Sequence, residues 1–227
     1  MNSIGSSGTR LARTREIEQR LISVRERIAR TGRNPDDIAI VAVTKGFGVD
    51  TCRAAVGAGL RVLGENRVHE AKLKMDAVPD AEWHLIGHLQ TNKVRQAAGR
   101  FALIHSVDSV RLAAELARHD PTQAVLLEVN VAREAQKHGV GPDKALDALT
   151  EVSRLLQLRG LMAMGPANGD PTPAFKELSH LRDGAEQRLG KRLPVLSMGM
   201  SGDFEAAVEA GSTMLRLGQA LFGPRPS

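Results

Sequence analysis

What most limits the fold of this 227-residue chain is a repeat of short apolar runs. Beyond Pro35 they cover 38–44, 60–63, 83–86, 102–107, 124–129, 158–164, 195–198 and 213–217, and most are rich in Val, Ile and Leu on both parities. Strands of a parallel sheet covered by helices on both faces have this pattern. Between the runs lie helix-like stretches at 50–59, 66–78, 91–99, 109–119, 142–157, 173–189 and 202–210. Run starts advance from 38 to 213 in seven steps of about 25 residues, the length of a compact βα unit. Eight such units with right-handed crossovers predict an α/β fold, a single (β/α)8 TIM barrel, ahead of an open doubly wound sheet.

An extra N-terminal helix precedes the barrel. Ile17, Leu21, Val24 and Ile28 form one apolar stripe, and Gly32 with Pro35 marks its end. Arg10, Arg13, Arg15, Arg20, Arg25, Arg27, Arg30 and Arg33 against Glu16, Glu18 and Glu26 account for the whole formal charge of +5. A solvated helix face explains them. RNA binding would need a coherent basic surface and stacking aromatics, whereas Phe and Trp together make up 3% of the chain and Tyr is absent. Removing residues 1–33 is therefore expected to leave any cofactor site intact. Residues 1–9 read as a flexible tail and 10–225 as one domain, with 166–173 a long βα loop and no room after the eighth run for a second domain. The single Cys52 allows no internal disulfide and no thiolate zinc site, and no apolar run is long enough to span a membrane. A cytoplasmic protein without membrane or nucleic-acid partners is expected.

In such a barrel the site is built at the C-terminal ends of the strands, and phosphate is often held after strands seven and eight. Lys45 shares parity with Val41 and Val43 and should project toward the barrel mouth. Arg216 shares parity with Met214 and Gly218 on strand eight, which closes on strand one. Ser201, followed by a helix start near Gly202, and the Gly218-Gln219 turn can offer free N–H groups to an anion. An ordinary N-cap explains the Gly-Ser turn as well, and Lys45 could instead pair with Glu65 or Asp203 at the rim. A neighbouring cation and partial burial depress a lysine pKa and make the amine able to form an imine. Phosphate cradle, lysine and arginine in one mouth suggest pyridoxal phosphate, with its aldehyde on Lys45 as a Schiff base and its pyridine nitrogen toward Arg216. An arginine gives up no proton at ordinary pH, so the ring would be a poor electron sink, which favours holding the cofactor or proton transfer over transamination.

The motifs Val41-Ala42-Val43-Thr44-Lys45, Gly64-Glu65-Asn66, Trp83-His84-Leu85-Ile86-Gly87, Leu89-Gln90-Thr91-Asn92-Lys93, His105-Ser106-Val107-Asp108, Lys137-His138-Gly139-Val140, Ser197-Met198-Gly199-Met200-Ser201 and Arg216-Leu217-Gly218 carry a resemblance. Over about residues 10–225 the chain resembles the pyridoxal phosphate homeostasis protein family, relatives of the alanine racemase N-terminal barrel. The resemblance implies a fold-type III barrel with the cofactor on Lys45, its phosphate on Ser201 and on backbone N–H groups of Gly218 and Gln219, Arg216 at the pyridine nitrogen and Asn66 lining the site. It also implies a carrier or regulator of pyridoxal phosphate supply without robust turnover, with PLP-dependent apoenzymes as possible recipients. A monomer is expected, with no catalytic residue and no metal.

The chain departs from the family pattern at Gly46 and Gly48, which should loosen the loop after Lys45, and at Arg67 and Gln219, the last costing a hydroxyl contact to phosphate. Two enzymes compete with the carrier reading. An amino-acid racemase of this fold type needs a second base, usually a tyrosine from another domain. His84 or His88 could replace it, although a His-x-x-x-His that starts on a strand suits packing plus a loop hydrogen bond. A Schiff-base aldolase would use the lysine and the phosphate cradle without PLP.

Overall fold

The structure, a computed structural model, describes residues 4–224. Its strands are β1 (Ala39–Val43), β2 (Val62–Glu65), β3 (Glu82–Leu85), β4 (Leu103–Val107), β5 (Ala124–Glu128), β6 (Gln157–Met162), β7 (Val195–Ser197) and β8 (Met214–Leu217). They pair in chain order, all parallel, and β8 closes on β1 with Val41 opposite Arg216 and Ala42 opposite Leu217. Each expected apolar run overlaps one of these strands, with β2, β3 and β6 offset by one or two residues.

Helix α1 (Ile4–Arg30) comes before the barrel. After successive strands come α2 (Val49–Gly57), α3 (Val68–Met75), α4 (Val94–Ala97), α5 (Val110–His119), α6 (Pro142–Leu155), α7 (Thr172–Leu189), α8 (Phe204–Glu209) and, after β8, α9 (Gln219–Phe222). The stretch expected as a helix over 91–99 is shorter, a 3-10 turn at Thr91–Lys93 running into the four residues of α4. No helix among the described residues is long and apolar enough to cross a membrane.

Strand residues are apolar on both parities because each parity faces a different core. Val41, Leu103, Leu126, Met162 and Met214 meet inside the barrel. Ala42, Leu63, Leu85, Ile104, Val125, Leu127, Leu161, Leu196 and Leu215 point outward into the layer beneath the helices, with Phe175 and Phe204 among the largest fully buried side chains there. At roughly 25 cal/mol per Å² of apolar surface removed from water, this outer layer is the main source of fold stability.

The apolar stripe of α1 is buried at Ile17, Val24 and Ile28, and the helix packs on α2 and α9. Several of its arginines are engaged within the molecule. Arg13 donates to the Phe222 carbonyl at 2.7 Å, and Arg27 pairs with Glu205 at 2.5 Å while lying 4.3 Å above the Phe204 ring. Arg20 binds Glu16, Arg25 binds Asp36, and beyond the helix Arg33 reaches the Val208 carbonyl. Residues 1–33 are thus bonded to α9 and to the helical shell, more than a solvated face alone accounts for. Helix α1 also starts at Ile4, within the segment 1–9 expected as a tail, whose first three residues lie outside the described ones.

Candidate functional site at the barrel mouth

Lys45, Asn66, Ser201, Arg216, Gly218 and Gln219, the six residues expected to form a site, all line one cavity of about 630 Å³. Its other walls are largely apolar, including Val43, Phe47, Ile86 and Met164. Volume and lining suit a small-molecule site at the C-terminal face of a barrel.

Lys45 is half-buried and lies two residues past the end of β1. Its neighbour Thr44 points the other way, and its hydroxyl donates to Glu65 Oε1 at 2.6 Å. Lys74 on α3 donates to that Oε1 and to Glu70 Oε1, both at 2.7 Å, and to the Thr44 carbonyl at 2.9 Å. Glu70 in turn accepts the Gly46 N–H at 2.7 Å. Burial pushes the Glu65 pKa up, and for Lys74 the hydrogen bonds to Glu65 and Glu70 outweigh the opposing effect of burial and raise it. Glu65 is thus held by Lys74 and Thr44 on the outer side of the sheet, while Asp203 accepts the Met200 N–H at 2.6 Å.

The network fixes the backbone on both sides of Lys45, which changes the expectation for the loop. Gly46 sits at φ 78°, a conformation that favours glycine, and its N–H is bound. Phe47 is buried, with its ring centroid 5.3 Å from that of Phe222. The segment expected to be loosened by Gly46 and Gly48 is pinned by α3 on one side and by α9 on the other. Sequence reasoning missed Lys74 and Glu70, although their i, i+4 spacing on α3 was a usable signal.

The two halves of the expected cradle are bonded to each other. Ser201 Oγ accepts the N–H of Ala220, in the first turn of α9, at 3.0 Å. Helix α8 starts at Phe204 instead of near Gly202, and residues 201–203 form a turn. The helix start facing the cavity is therefore that of α9, at Gln219, where the first N–H groups have no intrahelical partner. Asn66 is placed by a close crossing: a Cβ on Gly87 would lie 2.4 Å from the Asn66 carbonyl oxygen.

Arg216 is 5% exposed and donates to the Ser197 carbonyl, the Ser197 hydroxyl and the Ala163 carbonyl, each at 2.8 Å. Three of its five N–H donors are engaged in this way. Burial lowers its pKa to about 10, so it stays charged at neutral pH. Ser197 Oγ also lies 3.0 Å from His105 Nδ1, His105 Nε2 lies 3.0 Å from His84 Nδ1, and His84 Nε2 lies 2.8 Å from Glu82 Oε1. A polar chain thus crosses the barrel interior from Glu82, on the opposite face, to Arg216. Burial, aided by the charges of His84 and Arg216, holds the His105 pKa well below the ordinary imidazole value. Glu128, buried at the end of β5, is pushed up to about 7 by burial and by Asp108, against the pull of Arg216. Glu128 and His105 were not picked out from sequence as site residues, and His84 was weighed only as a substitute base. Their signal was a polar residue on an inward parity of an apolar strand.

Comparison with known proteins gives the family. Residues 18–226 match the family model described as alanine racemase, N-terminal domain. The chain is 40% identical over 222 residues to the pyridoxal phosphate homeostasis protein of Aquifex aeolicus, covering 91% of this chain and 97% of that protein. The chain belongs to the pyridoxal phosphate homeostasis protein family. A homeostasis protein from Deinococcus radiodurans is 41% identical over 208 residues, covering 89% of this chain and 97% of its own length. PipY of Synechococcus elongatus PCC7942, solved with PLP bound, matches with a TM-score of 0.80 at 35% identity, over 91% of this chain and 100% of PipY. Alanine racemase of Clostridium difficile, at 15% identity and a TM-score of 0.70, covers 89% of this chain with 58% of its own and shares the barrel fold.

Proposed function

We propose that the cavity binds pyridoxal 5'-phosphate and that this homeostasis-family protein acts as a carrier or regulator of the cofactor, without robust turnover of amino acids. The observation that carries the reading is the convergence of a half-buried lysine, a buried arginine and a hydroxyl-bonded helix start on one cavity. PipY, a relative of the same fold, was solved with PLP bound.

The residues present fit the group. Lys45 would take the aldehyde, and Ser201 with the N–H groups of Gly218 and Gln219 would hold the phosphate, where the helix start favours negative charge. Gln219 contributes its backbone there and no hydroxyl. Arg216 would meet the pyridine nitrogen, with Asn66 on the cavity wall. Bound pyridoxal phosphate supplies an aldehyde that condenses with a primary amine and a ring that accepts electron density in proportion to how fully its nitrogen is protonated. Arg216 remains charged and can only donate, so it favours the unprotonated nitrogen and a weak electron sink. With no tyrosine in the chain, a tyrosine base is unavailable, and no catalytic residue is assigned. A cytoplasmic monomer that passes the cofactor to PLP-dependent apoenzymes completes the proposal.

Borohydride reduction of cofactor-saturated protein followed by peptide mass analysis tests the attachment. The expected product is a pyridoxyl adduct on the Lys45 peptide, and an unmodified Lys45 peptide overturns the assignment. Ordinary rates of racemisation or transamination by the purified protein would overturn the carrier role. Light scattering should give the mass of one chain.

A further inference from the structure

We propose that His88, Asp108 and His138 form a binding site for a divalent transition-metal ion of the zinc type on the rim of the barrel mouth. The three residues come from different βα loops: His88 follows β3, Asp108 follows β4, and His138 lies between β5 and α6. One ligand atom from each falls within 4.8 Å of the other two. His88 Nδ1 is 3.0 Å from Asp108 Oδ2, and His138 Nδ1 is 4.0 Å from the same oxygen. The imidazole rings stack at a centroid distance of 3.8 Å and an interplanar angle of 8°.

Coordination geometry decides what this cluster can hold. A tetrahedral ion with bonds of about 2.1 Å sets its donor atoms about 3.4 Å apart. The two nitrogen-to-oxygen distances bracket that value, and because stacked rings aim their lone pairs along parallel planes, binding would require one imidazole to rotate out of the stack toward the ion. At 4.0 Å His138 is too far from the carboxylate for a hydrogen bond, yet the oxygen it approaches is the one His88 contacts. Two imidazoles and one carboxylate suit Zn²⁺, Co²⁺ or Ni²⁺ better than Mg²⁺ or Ca²⁺, which prefer all-oxygen shells. Three protein ligands leave at least one position to water.

The surroundings are built to hold these donors. Ser109 Oγ donates to the other carboxylate oxygen, Asp108 Oδ1, at 3.2 Å and also caps the first turn of α5, the kind of outer-shell contact that orients a ligand. The loop before His138 is fixed by Asn130, whose amide donates to the Glu134 and Lys137 carbonyls at 2.9 and 3.2 Å. Side-chain exposures of 35% for His88, 54% for His138 and 16% for Asp108 leave a path for an ion to enter. His88 shares a cleft with Asn66, which also lines the cavity that holds Lys45 and Arg216. A bound ion would therefore staple three rim loops beside that cavity without belonging to it.

The test is calorimetric titration of Zn²⁺ into the full chain, both loaded with pyridoxal phosphate and stripped of it, so that an ion held by the cofactor phosphate is told apart. One equivalent binding in both forms is expected, with affinity reduced at least about tenfold in His138→Ala and in Asp108→Asn. The His88→Ala/Asp108→Asn/His138→Ala variant should lose that equivalent while keeping its circular dichroism. Substituted Co²⁺ should give the visible bands of a low-coordinate nitrogen and oxygen site in the parent chain alone. Equal Zn²⁺ binding by parent and triple variant, binding only in the loaded form, or none at all overturns the site. Because stripped protein is included, failure here is distinct from failure of the cofactor proposal.

Discussion

His105 and Gly87 show how single residues set the interior and the wall of the site. The buried imidazole of His105 stays neutral in the folded chain below the pH where an unfolded histidine, at about 6.5, takes up a proton. The unfolded state then binds more protons, so this residue's contribution to stability falls as pH drops below 6.5 toward the depressed folded value. Glu128 works in the opposite direction. Its folded pKa of about 7 keeps it protonated over a range where the unfolded carboxyl is ionised, so its contribution falls as pH rises from 4.5 to 7. The two slopes oppose each other in the parent chain, and a variant separates them. His105→Gln should gain on the parent by about 1.4 kcal/mol for each pH unit below 6.5, read from urea unfolding at pH 7.5, 6.5 and 5.5. At Gly87 the limit is steric: Gly87→Ala places a methyl 2.4 Å from the Asn66 carbonyl and must displace that backbone. Affinity for pyridoxal phosphate should fall by about tenfold or more in an absorbance titration, since small misplacements in a site are costly.

Among the elements, α3 has the clearest influence on the site. Lys74 ties it to the Thr44 carbonyl, and Glu70 ties it to the Gly46 N–H, so the residues on both sides of Lys45 hang from one short helix. Lys74→Met should cost about 3–5 kcal/mol in urea unfolding, because it leaves the buried Glu65 carboxylate without its cation. The double variant Glu65→Leu/Lys74→Met should recover most of that loss, since the pair is replaced by apolar contacts. If the double variant were no more stable than the single one, the cost would lie in lost packing instead. This dependence was half legible beforehand. The i, i+4 pair Glu70 and Lys74 is visible on α3, but periodicity does not reveal that the lysine turns inward to a strand end. The same holds for α8, whose start two residues beyond Gly202 depends on the Asp203 side chain bonding back to Met200.

Across the whole molecule, closure of the barrel creates the cavity and α1 backs it. Strand β8 beside β1 brings Arg216 and Lys45 to one mouth, and α9 completes the wall while resting on α1 through the Arg13 bond to Phe222 and on the ring of Phe47 from the loop after β1. Ile17→Ala should destabilise the protein by about 2–5 kcal/mol, as a fully buried large-to-small change does. It should also speed release of bound cofactor during dialysis, a readout that an α1 serving only as a solvated arm would not move. The arginines of α1 point the same way, because Arg13 and Arg27 bind groups of the barrel shell, as does Arg33 just beyond the helix.

By itself the sequence determined the eight βα units, the inward parity of Lys45 and Arg216, and five of the six residues around the cavity, the sixth, Asn66, coming from the family resemblance. Those features follow from local periodicity and from a strand order that chain connectivity nearly imposes. Tertiary structure alone decided which polar groups meet. The chain from Glu82 to Arg216 joins four strands, Lys74 crosses from a helix to a strand end, and His88, Asp108 and His138 converge from three separate loops. Such encounters leave no periodic trace, because the partners are set by distances across the barrel and not by spacing along the chain. For that reason a sequence that predicted no metal ligands folds into a rim where two imidazoles and a carboxylate face one another.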